Sequence, residues 1–205
     1  MSSKSDKGKI LITVLHDIAR GSEAAIQNFY HDHYNTYIKF GHTITPDRHA
    51  IEDAIQHLLI WFVEHERKAL KLDRPDVYFF RALRNNLVRE QLKSREHLQD
   101  KIHETLSNMM VTHSAEKIWV DEEEEQEILL KLQTEISNLP DYLQQTLYLR
   151  YFSDMAYKDI GDILEIKPNV ARIYIHRAIE RLRTSLKDVK IWWGMALMMF
   201  QSLNP

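Results

Sequence analysis

The stretch YKDIGDILEIKPNVARIYIHRAIERLR, residues 157–183, decides the fold. The spacing of its apolar residues predicts a short helix over Tyr157–Leu164, a tight connection through Glu165–Lys167, and a longer helix with Pro168 in its first turn. Gly161 falls where the two helices must approach closely, which suits a residue without a side chain. These are the proportions of a helix-turn-helix, whose second helix enters the major groove of DNA.

The second of these helices has a polar face opposite its apolar one. Arg and Asn side chains can bind guanine and adenine bidentately, and further cations along the helix can contact phosphates. A plain helical hairpin with a solvated charged face is the alternative. The candidate DNA-binding residues on this face are Lys167, Asn169, Arg172, Ile173, His176, Arg177 and Arg181.

Composition limits the remaining choices. A chain of 205 residues can form one large or two small domains, and only 5 Gly and 5 Pro favour helices over many short strands. The absence of Cys excludes a disulfide scaffold, thiol catalysis and a cysteine zinc site. The polar N-terminus lacks an apolar signal core, and the longest apolar run, 191–200, is too short to span a bilayer. We therefore expect a cytoplasmic protein without membrane insertion.

We predict an all-α fold of two small helical domains joined by an acidic linker, the second domain containing the helix-turn-helix. Residues 97–136 carry ten acidic and three basic side chains, which indicates the linker, although the acids would also suit the start of a helix. The predicted divisions are an N-terminal extension, 1–21, a helical domain, 22–96, the linker, 97–126, the helix-turn-helix domain, 127–188, and a hydrophobic tail, 189–205.

Three helices are predicted in the first domain, over 22–40, from His49 through His65, and over 76–95. Thr45 is the expected cap of the second, with Pro46 in its first turn. The second helix is apolar almost all the way round, which is typical of a core helix or of one that docks a second body.

The formal net charge of −3 conceals two basic clusters. Residues 81–95 hold five bases and one acid, and residues 167–190 hold seven bases and two acids. Local patches of this kind set the field that a phosphate backbone meets, although each alone could be a solvated helix face.

Leu139 to Arg183 resembles the −35-reading region four of extracytoplasmic-function (ECF) sigma factors of the sigma-70 family. The resemblance rests on Leu139-Pro140, the Tyr157-x-x-Ile160-x-x-x-Leu164 helix, and Arg177-Ala178 with Leu182-Arg183. Lys167, Val170 and Ala156 depart from the hydroxyl-bearing residues usual at those positions.

Residues 22–96 resemble region two of the same family, through Glu52-Asp53, Gln56 and Trp61 on one helix and Tyr78-Phe79-Phe80-Arg81 with Arg84-Asn85 on another. The resemblance implies two sets of residues. The set implied to bind RNA polymerase is Asp53, Gln56, His57 and Ile60. The set implied to melt and capture the −10 element is Arg74, Tyr78, Arg81, Arg84, Asn85 and Arg89. Each aromatic side chain in this region, taken alone, is more typical of a core than of a stacking platform.

The resemblance implies a transcription initiation factor whose partners are core RNA polymerase (clamp helices and flap), double-stranded promoter DNA and the melted −10 strand. An anti-sigma factor is a further candidate partner. No catalytic residue, metal or cofactor is expected. The tail, Ile191–Phe200, would fold back on the body or dock a partner or second copy.

Three other interpretations stay open. A helix-turn-helix regulator acting without polymerase would not need the apolar second helix, and a helical adaptor would have lost DNA binding. A helical metal-dependent hydrolase would use His16-Asp17, His31-Asp32 and His33, although no further ligands stand at helical spacing.

Overall fold

The computed structural model describes residues 4–99 and 131–186. All regular secondary structure in these two segments is helical, so the prediction of an all-helical fold with a helix-turn-helix is confirmed. Most of the predicted linker and the hydrophobic tail lie outside the described residues. The elements are α1 (Lys4–Ala19), α2 (Glu23–Asn28), a π-helical turn (Phe29–His33), α3 (Tyr34–His42), α4 (Arg48–Glu64), α5 (Glu66–Ala69), α6 (Pro75–Gln99), α7 (helical residues 131–137), α8 (Asp141–Tyr151), α9 (Tyr157–Leu164) and α10 (Pro168–Ser185).

Helix α1 is part of the N-terminal core and not an extension outside it. It packs against α2, α4 and α6, and its residues Leu15 and Ile18 are fully buried. The boundary predicted at residue 21 therefore cuts off a core helix. The signal was present in the sequence, since Leu11, Val14, Leu15 and Ile18 recur at helical spacing, but the polar first residues obscured it.

An aromatic cluster fills the centre of the N-terminal body. The Phe79 ring lies 4.4 Å from the Tyr37 ring and 5.5 Å from the Phe29 ring, measured between centroids. Phe80 packs edge-on against Phe40 at 5.1 Å. Phe79 and Phe80 are both fully buried, so they belong to the core.

The predicted helix over 22–40 is divided by a π-helical turn. The Phe29 carbonyl accepts a hydrogen bond from the amide of Tyr34, five residues later, so the chain gains one residue in that turn. Phe29 and Tyr37 then both reach the core, where their rings stack at 5.4 Å. Hydrophobic periodicity alone does not reveal such an insertion.

Helix α4 is capped by Asp47, and the predicted Thr45 cap is wrong. An Asp47 carboxylate oxygen accepts a hydrogen bond from the amide of Ala50 at 3.1 Å. The Thr45 hydroxyl accepts instead from the amide of Asp47 at 3.2 Å, and so it supports the loop before the cap. Both side chains can accept a hydrogen bond from a helix amide. Because α4 begins at Arg48, Asp47 occupies the cap position and Thr45 does not.

The C-terminal helices α8, α9 and α10 pack against one another. Helix α10 packs against both α8 and α9. Leu143 and Leu147 of α8 meet Ala178 and Leu182 of α10 in one apolar cluster, and all four are buried. This packing places α10 across the other two helices with its opposite face outward.

The two halves also pack against each other, mainly through α6 and α9 and more weakly through α3 and α8. The buried residues Leu149, Met155 and Ile160 join the same apolar cluster as the N-terminal core. The sequence predicted two domains but gave no sign of this contact, because no short-range pattern records it.

Candidate nucleic-acid interface

The turn between α9 and α10 is built around Gly161. The Gly161 carbonyl accepts hydrogen bonds from the backbone amides of Glu165 and Ile166, the second at 2.9 Å. Glu165 adopts the left-handed backbone conformation, with φ 58° and ψ 42°. A Cβ on Gly161 would lie only 2.7 Å from the Ile166 carbonyl oxygen, a distance that atoms in proteins do not tolerate. The predicted close approach at Gly161 is confirmed, and it fixes how α9 directs the chain into α10.

Helix α10 begins without a side-chain cap. Lys167 occupies the cap position in an extended conformation and makes no capping hydrogen bond, while Pro168 takes the first turn, where its missing N–H costs nothing. Ala156 likewise begins α9 without a side-chain cap. The amides that open α10 are therefore not used by a capping side chain.

The outward face of α10 carries the predicted side chains. All seven candidate residues are exposed, and Ile173 is 48% exposed despite being apolar. Their common exposure follows from the opposite face, where Ala171, Ile175 and Ala178 are buried. The exposed residues are Lys167, Asn169, Arg172, Ile173, His176, Arg177 and Arg181.

Two contacts shape this face. The Arg172 guanidinium lies 5.0 Å from the centroid of the Tyr157 ring, and Arg150 lies 5.1 Å from the centroid of the same ring. His176 Nε2 lies 3.8 Å from Glu180, both on the exposed surface. Tyr157 was not predicted as part of the site. Its position at the start of α9, just before the helix-turn-helix turn, is the sequence feature that could have suggested a contact with α10.

A second candidate surface lies on α4. Asp53, Gln56, His57 and Ile60 are all exposed, at the three- and four-residue spacing of one helix face. Ile60 is 52% exposed, and Val63 extends the same face. The helix is therefore not enclosed on all sides: its other face is buried in the core, and the exposed face carries apolar side chains among polar ones.

The residues implied in −10 capture lie along the start and first turns of α6, and the structure brings most of them against the C-terminal half. Arg74 makes a bidentate contact with Asp76 at 2.8 and 2.9 Å, and its Nη1 donates to Asp159 of α9 at 2.9 Å. The Asp76 hydrogen bonds are the main cause of the raised pKa of Arg74. Asp76 is buried, so this pair also fixes the beginning of α6.

Further along α6, Arg81 and Asn85 both reach Glu165 in the helix-turn-helix turn. Arg81 Nη2 donates to Glu165 Oε1 at 3.1 Å, and Asn85 Nδ2 donates to the same oxygen at 3.3 Å. The Asn85 hydrogen bond, followed by those from Arg81, lowers the pKa of Glu165. Arg84 Nε donates to the side chain of Gln145 in α8 at 3.1 Å. Gln145 is buried, and burial lowers the pKa of Arg84.

Tyr78 and Arg89 are placed differently. Arg89 is exposed near the middle of α6. Tyr78 is half-buried and stacks on Trp61 at 4.9 Å, while His65 stacks on Trp61 at 5.1 Å. These three rings form a stack that joins the end of α4 to the first turn of α6. The stack was not predicted. Trp61 and His65 are four residues apart at the end of α4, but the contact between Tyr78 and Trp61 joins two helices and needs the tertiary fold.

The metal-site alternative finds no support in the described part of the chain. His31 and Asp32 pair with each other at 2.5 Å on the surface. Residues 4–99 and 131–186 hold no group of three His, Asp or Glu side chains arranged for a metal ion. Within the same residues, no helix has the length and apolar character that a membrane span requires.

Comparison with known proteins shows which family the C-terminal helices resemble. The family model described as sigma-70, region 4, matches residues 129–182, which include α8, α9 and nearly all of α10. Residues 129–182, which match this model, are called the region 4 domain from here on. A segment of 58 residues is 34% identical to the ECF RNA polymerase sigma factor SigW of Bacillus subtilis. These comparisons confirm the predicted resemblance to ECF members of the sigma-70 family.

The match to SigW covers 28% of this chain and 31% of the relative. The aligned segment thus spans about a third of the curated relative. The region 4 domain accounts for α10 and its exposed face, whereas the likeness of the N-terminal body to region two remains a prediction. The sequence did not predict the contacts between that body and the region 4 domain.

Proposed function

We propose that this protein is a transcription initiation factor that binds core RNA polymerase and directs it to promoters. The observation that carries the proposal is the region 4 domain with its exposed cationic helix α10. A helix presented in this way can enter the major groove, where its first turns reach base edges and its later cations contact phosphates.

The N-terminal body supports two further contacts. The exposed face of α4 offers apolar and polar side chains together, as protein interfaces do, and is the proposed polymerase-docking surface. The guanidiniums and Asn85 of α6, beside the stack of Tyr78, Trp61 and His65, suit a melted −10 strand, because unstacked bases are held by aromatic rings and the backbone by positive charge.

The direct test combines the full chain with core RNA polymerase on fragmented genomic DNA and sequences the 5′ ends of the RNA. We expect starts at defined positions that core polymerase alone does not use. Specific binding to DNA without defined starts would instead support a helix-turn-helix regulator that acts without polymerase. A chain that neither binds core polymerase nor prefers any DNA fragment would contradict the proposal.

The docking surface is tested by Ile60→Asp. Replacing this exposed apolar side chain by a carboxylate is expected to weaken binding to core polymerase about tenfold or more, as loss of an apolar anchor does in interfaces. Stability should not change, since Ile60 is 52% exposed. Leu92→Asp is the matched control, because Leu92 is 55% exposed but lies on α6. Equal weakening by both variants would contradict docking through α4.

Base reading by α10 is tested with Arg172→Ala and Arg177→Ala. Each is expected to weaken binding to a selected −35 duplex by about 1–3 kcal/mol if it contacts bases, measured by fluorescence anisotropy. Lys131→Ala removes an exposed cation from α7 and serves as the control. If each arginine variant loses the same amount on every duplex tested, the residues contact phosphates and do not read sequence.

A further inference from the structure

The Arg172 side chain of α10 contacts an aromatic ring and not a carboxylate. Its guanidinium carbon lies 5.0 Å from the centroid of the Tyr157 ring. In the part of the chain that the structure describes, no carboxylate is paired with Arg172. A guanidinium over a ring is attracted through its face, so the N–H donors along its edge stay available. Arg74 and Arg81 differ, because carboxylates already accept hydrogen bonds from their donors.

Tyr157 is placed for this contact by its position in α9. It is the first residue of that helix, four residues before Gly161, so both residues lie on one face. Gly161 marks the side of α9 that approaches the start of α10, since a Cβ there would lie 3.4 Å from the Pro168 nitrogen. The Tyr157 ring therefore stands beside the first turns of α10, where Arg172 leaves the helix.

A second guanidinium contacts the same ring. Arg150, in the last turn of α8, lies 5.1 Å from the centroid of the Tyr157 ring. Its Nη1 donates to the Met155 carbonyl at 3.2 Å, which anchors Arg150 to the loop between α8 and α9. Tyr157 itself is half-buried. Because Arg150 is anchored and the ring is half-buried, the ring offers Arg172 a fixed surface.

An arginine that reads bases gains from being ordered before DNA arrives. Bidentate recognition of guanine needs the guanidinium in one orientation, and an exposed arginine loses rotamer freedom to reach it. A neighbour that orders the side chain in advance lowers this cost. Within residues 4–99 and 131–186, Arg177 has no comparable ring contact. The two arginines of the reading face are therefore supported differently.

We propose that Tyr157 is a positioning residue for base reading. Its ring holds Arg172 in the orientation in which the guanidinium meets a base edge, and Tyr157 thereby sets how strictly one position of the −35 duplex is read. This role rests on the proposed function, because it requires α10 to read bases. The contact between the ring and the guanidinium does not depend on that function.

The contact is tested without DNA by NMR of the arginine Nε–Hε groups in the full chain, with Arg172→Ala for assignment. The ring current of Tyr157 should shift the Arg172 Hε signal upfield of that of Arg177. Tyr157→Leu should remove this shift, whereas Tyr157→Phe keeps the ring and should keep the shift. Tyr142→Leu is the matched control, because it removes a ring that packs against Tyr174 of α10 at 4.7 Å. An Arg172 signal that does not move in Tyr157→Leu would overturn the contact.

The reading role is tested by selecting bound sequences from a pool of randomised duplexes with each variant of the full chain. Arg172→Ala should lose the preference at the position that this arginine reads. Tyr157→Leu should weaken the preference at that position alone by about two- to fivefold, the equivalent of an exposed cation–π contact. Tyr157→Phe and Tyr142→Leu should keep the preference. In the Arg172→Ala background, Tyr157→Leu should have no further effect.

The remaining outcomes separate positioning from other roles. An even loss of affinity on all sequences in Tyr157→Leu, or the same loss with and without Arg172, would mean that Tyr157 supports the fold or contacts DNA itself. Either result would overturn the positioning role, and so would an unaltered chain without sequence preference. Should Tyr157→Leu lose its helical circular dichroism, Tyr157→Gln repeats both measurements. A chain that selects duplexes as expected but directs no polymerase would overturn only the proposed function.

Discussion

Phe79→Ala is expected to lower the free energy of unfolding by about 3–5 kcal/mol, the usual cost of removing a large buried aromatic side chain. Phe79 is fully buried, and its ring lies 4.4 to 5.9 Å from the rings of Tyr37, Phe29 and Phe62. The surrounding rings belong to three different helical segments, so the void cannot collapse without moving them. Urea denaturation followed by circular dichroism measures the loss.

Ile60→Ala is the control for this change. It removes apolar side-chain atoms from α4 at an exposed site, so we expect a change within about 0.5 kcal/mol. A loss below about 1 kcal/mol for Phe79→Ala would mean that the aromatic cluster is not packed in solution as described.

Gly161→Val is expected to destabilise the region 4 domain by about 3 kcal/mol, the upper end of the range for overpacking. The new Cβ would meet the Ile166 carbonyl oxygen at 2.7 Å and the Pro168 nitrogen at 3.4 Å. Both atoms belong to backbone that cannot rotate away, so the turn must open and α10 must shift. We therefore expect loss of −35 duplex binding as well, measured by anisotropy at a temperature where the variant is folded.

Asp162→Ala controls for this variant, because it changes the next residue of α9 at an exposed position. It should keep both stability and duplex binding. If Gly161→Val bound duplex DNA as tightly as the unaltered chain, the geometry of the turn would not determine how α10 meets the groove.

The helix-turn-helix was predictable almost residue by residue, because its signals are local. Tyr157–Leu164 and the Pro168 start agree with the structure, and so does the buried face of α10. The exposure of Asp53 and Ile60 on one face of α4 was implied by the family resemblance, whereas the apolar pattern had suggested a helix without a polar face. A period of 3.6 residues is sufficient to assign faces wherever a helix is regular.

The sequence predictions were wrong or incomplete where short-range sequence patterns do not determine the structure. The π-helical turn at Phe29–His33 adds one residue that periodicity cannot locate, and the choice of Asp47 over Thr45 as cap depends on the exact helix start. The pairing of Arg81 with Glu165 joins residues 84 positions apart, and charge counts treat both as solvent-facing. The packing of α6 against α9 is therefore a tertiary contact that the sequence pattern does not reveal.

The unequal exposure of α6 and α10 bears on how the chain responds to salt. The guanidiniums of Arg74 and Arg81 are paired with carboxylates of the other half, whereas the cations on α10 are exposed in a row. Such a row attracts duplex DNA of any sequence by releasing counterions, so we expect the affinity for duplex DNA to fall steeply as the salt concentration rises.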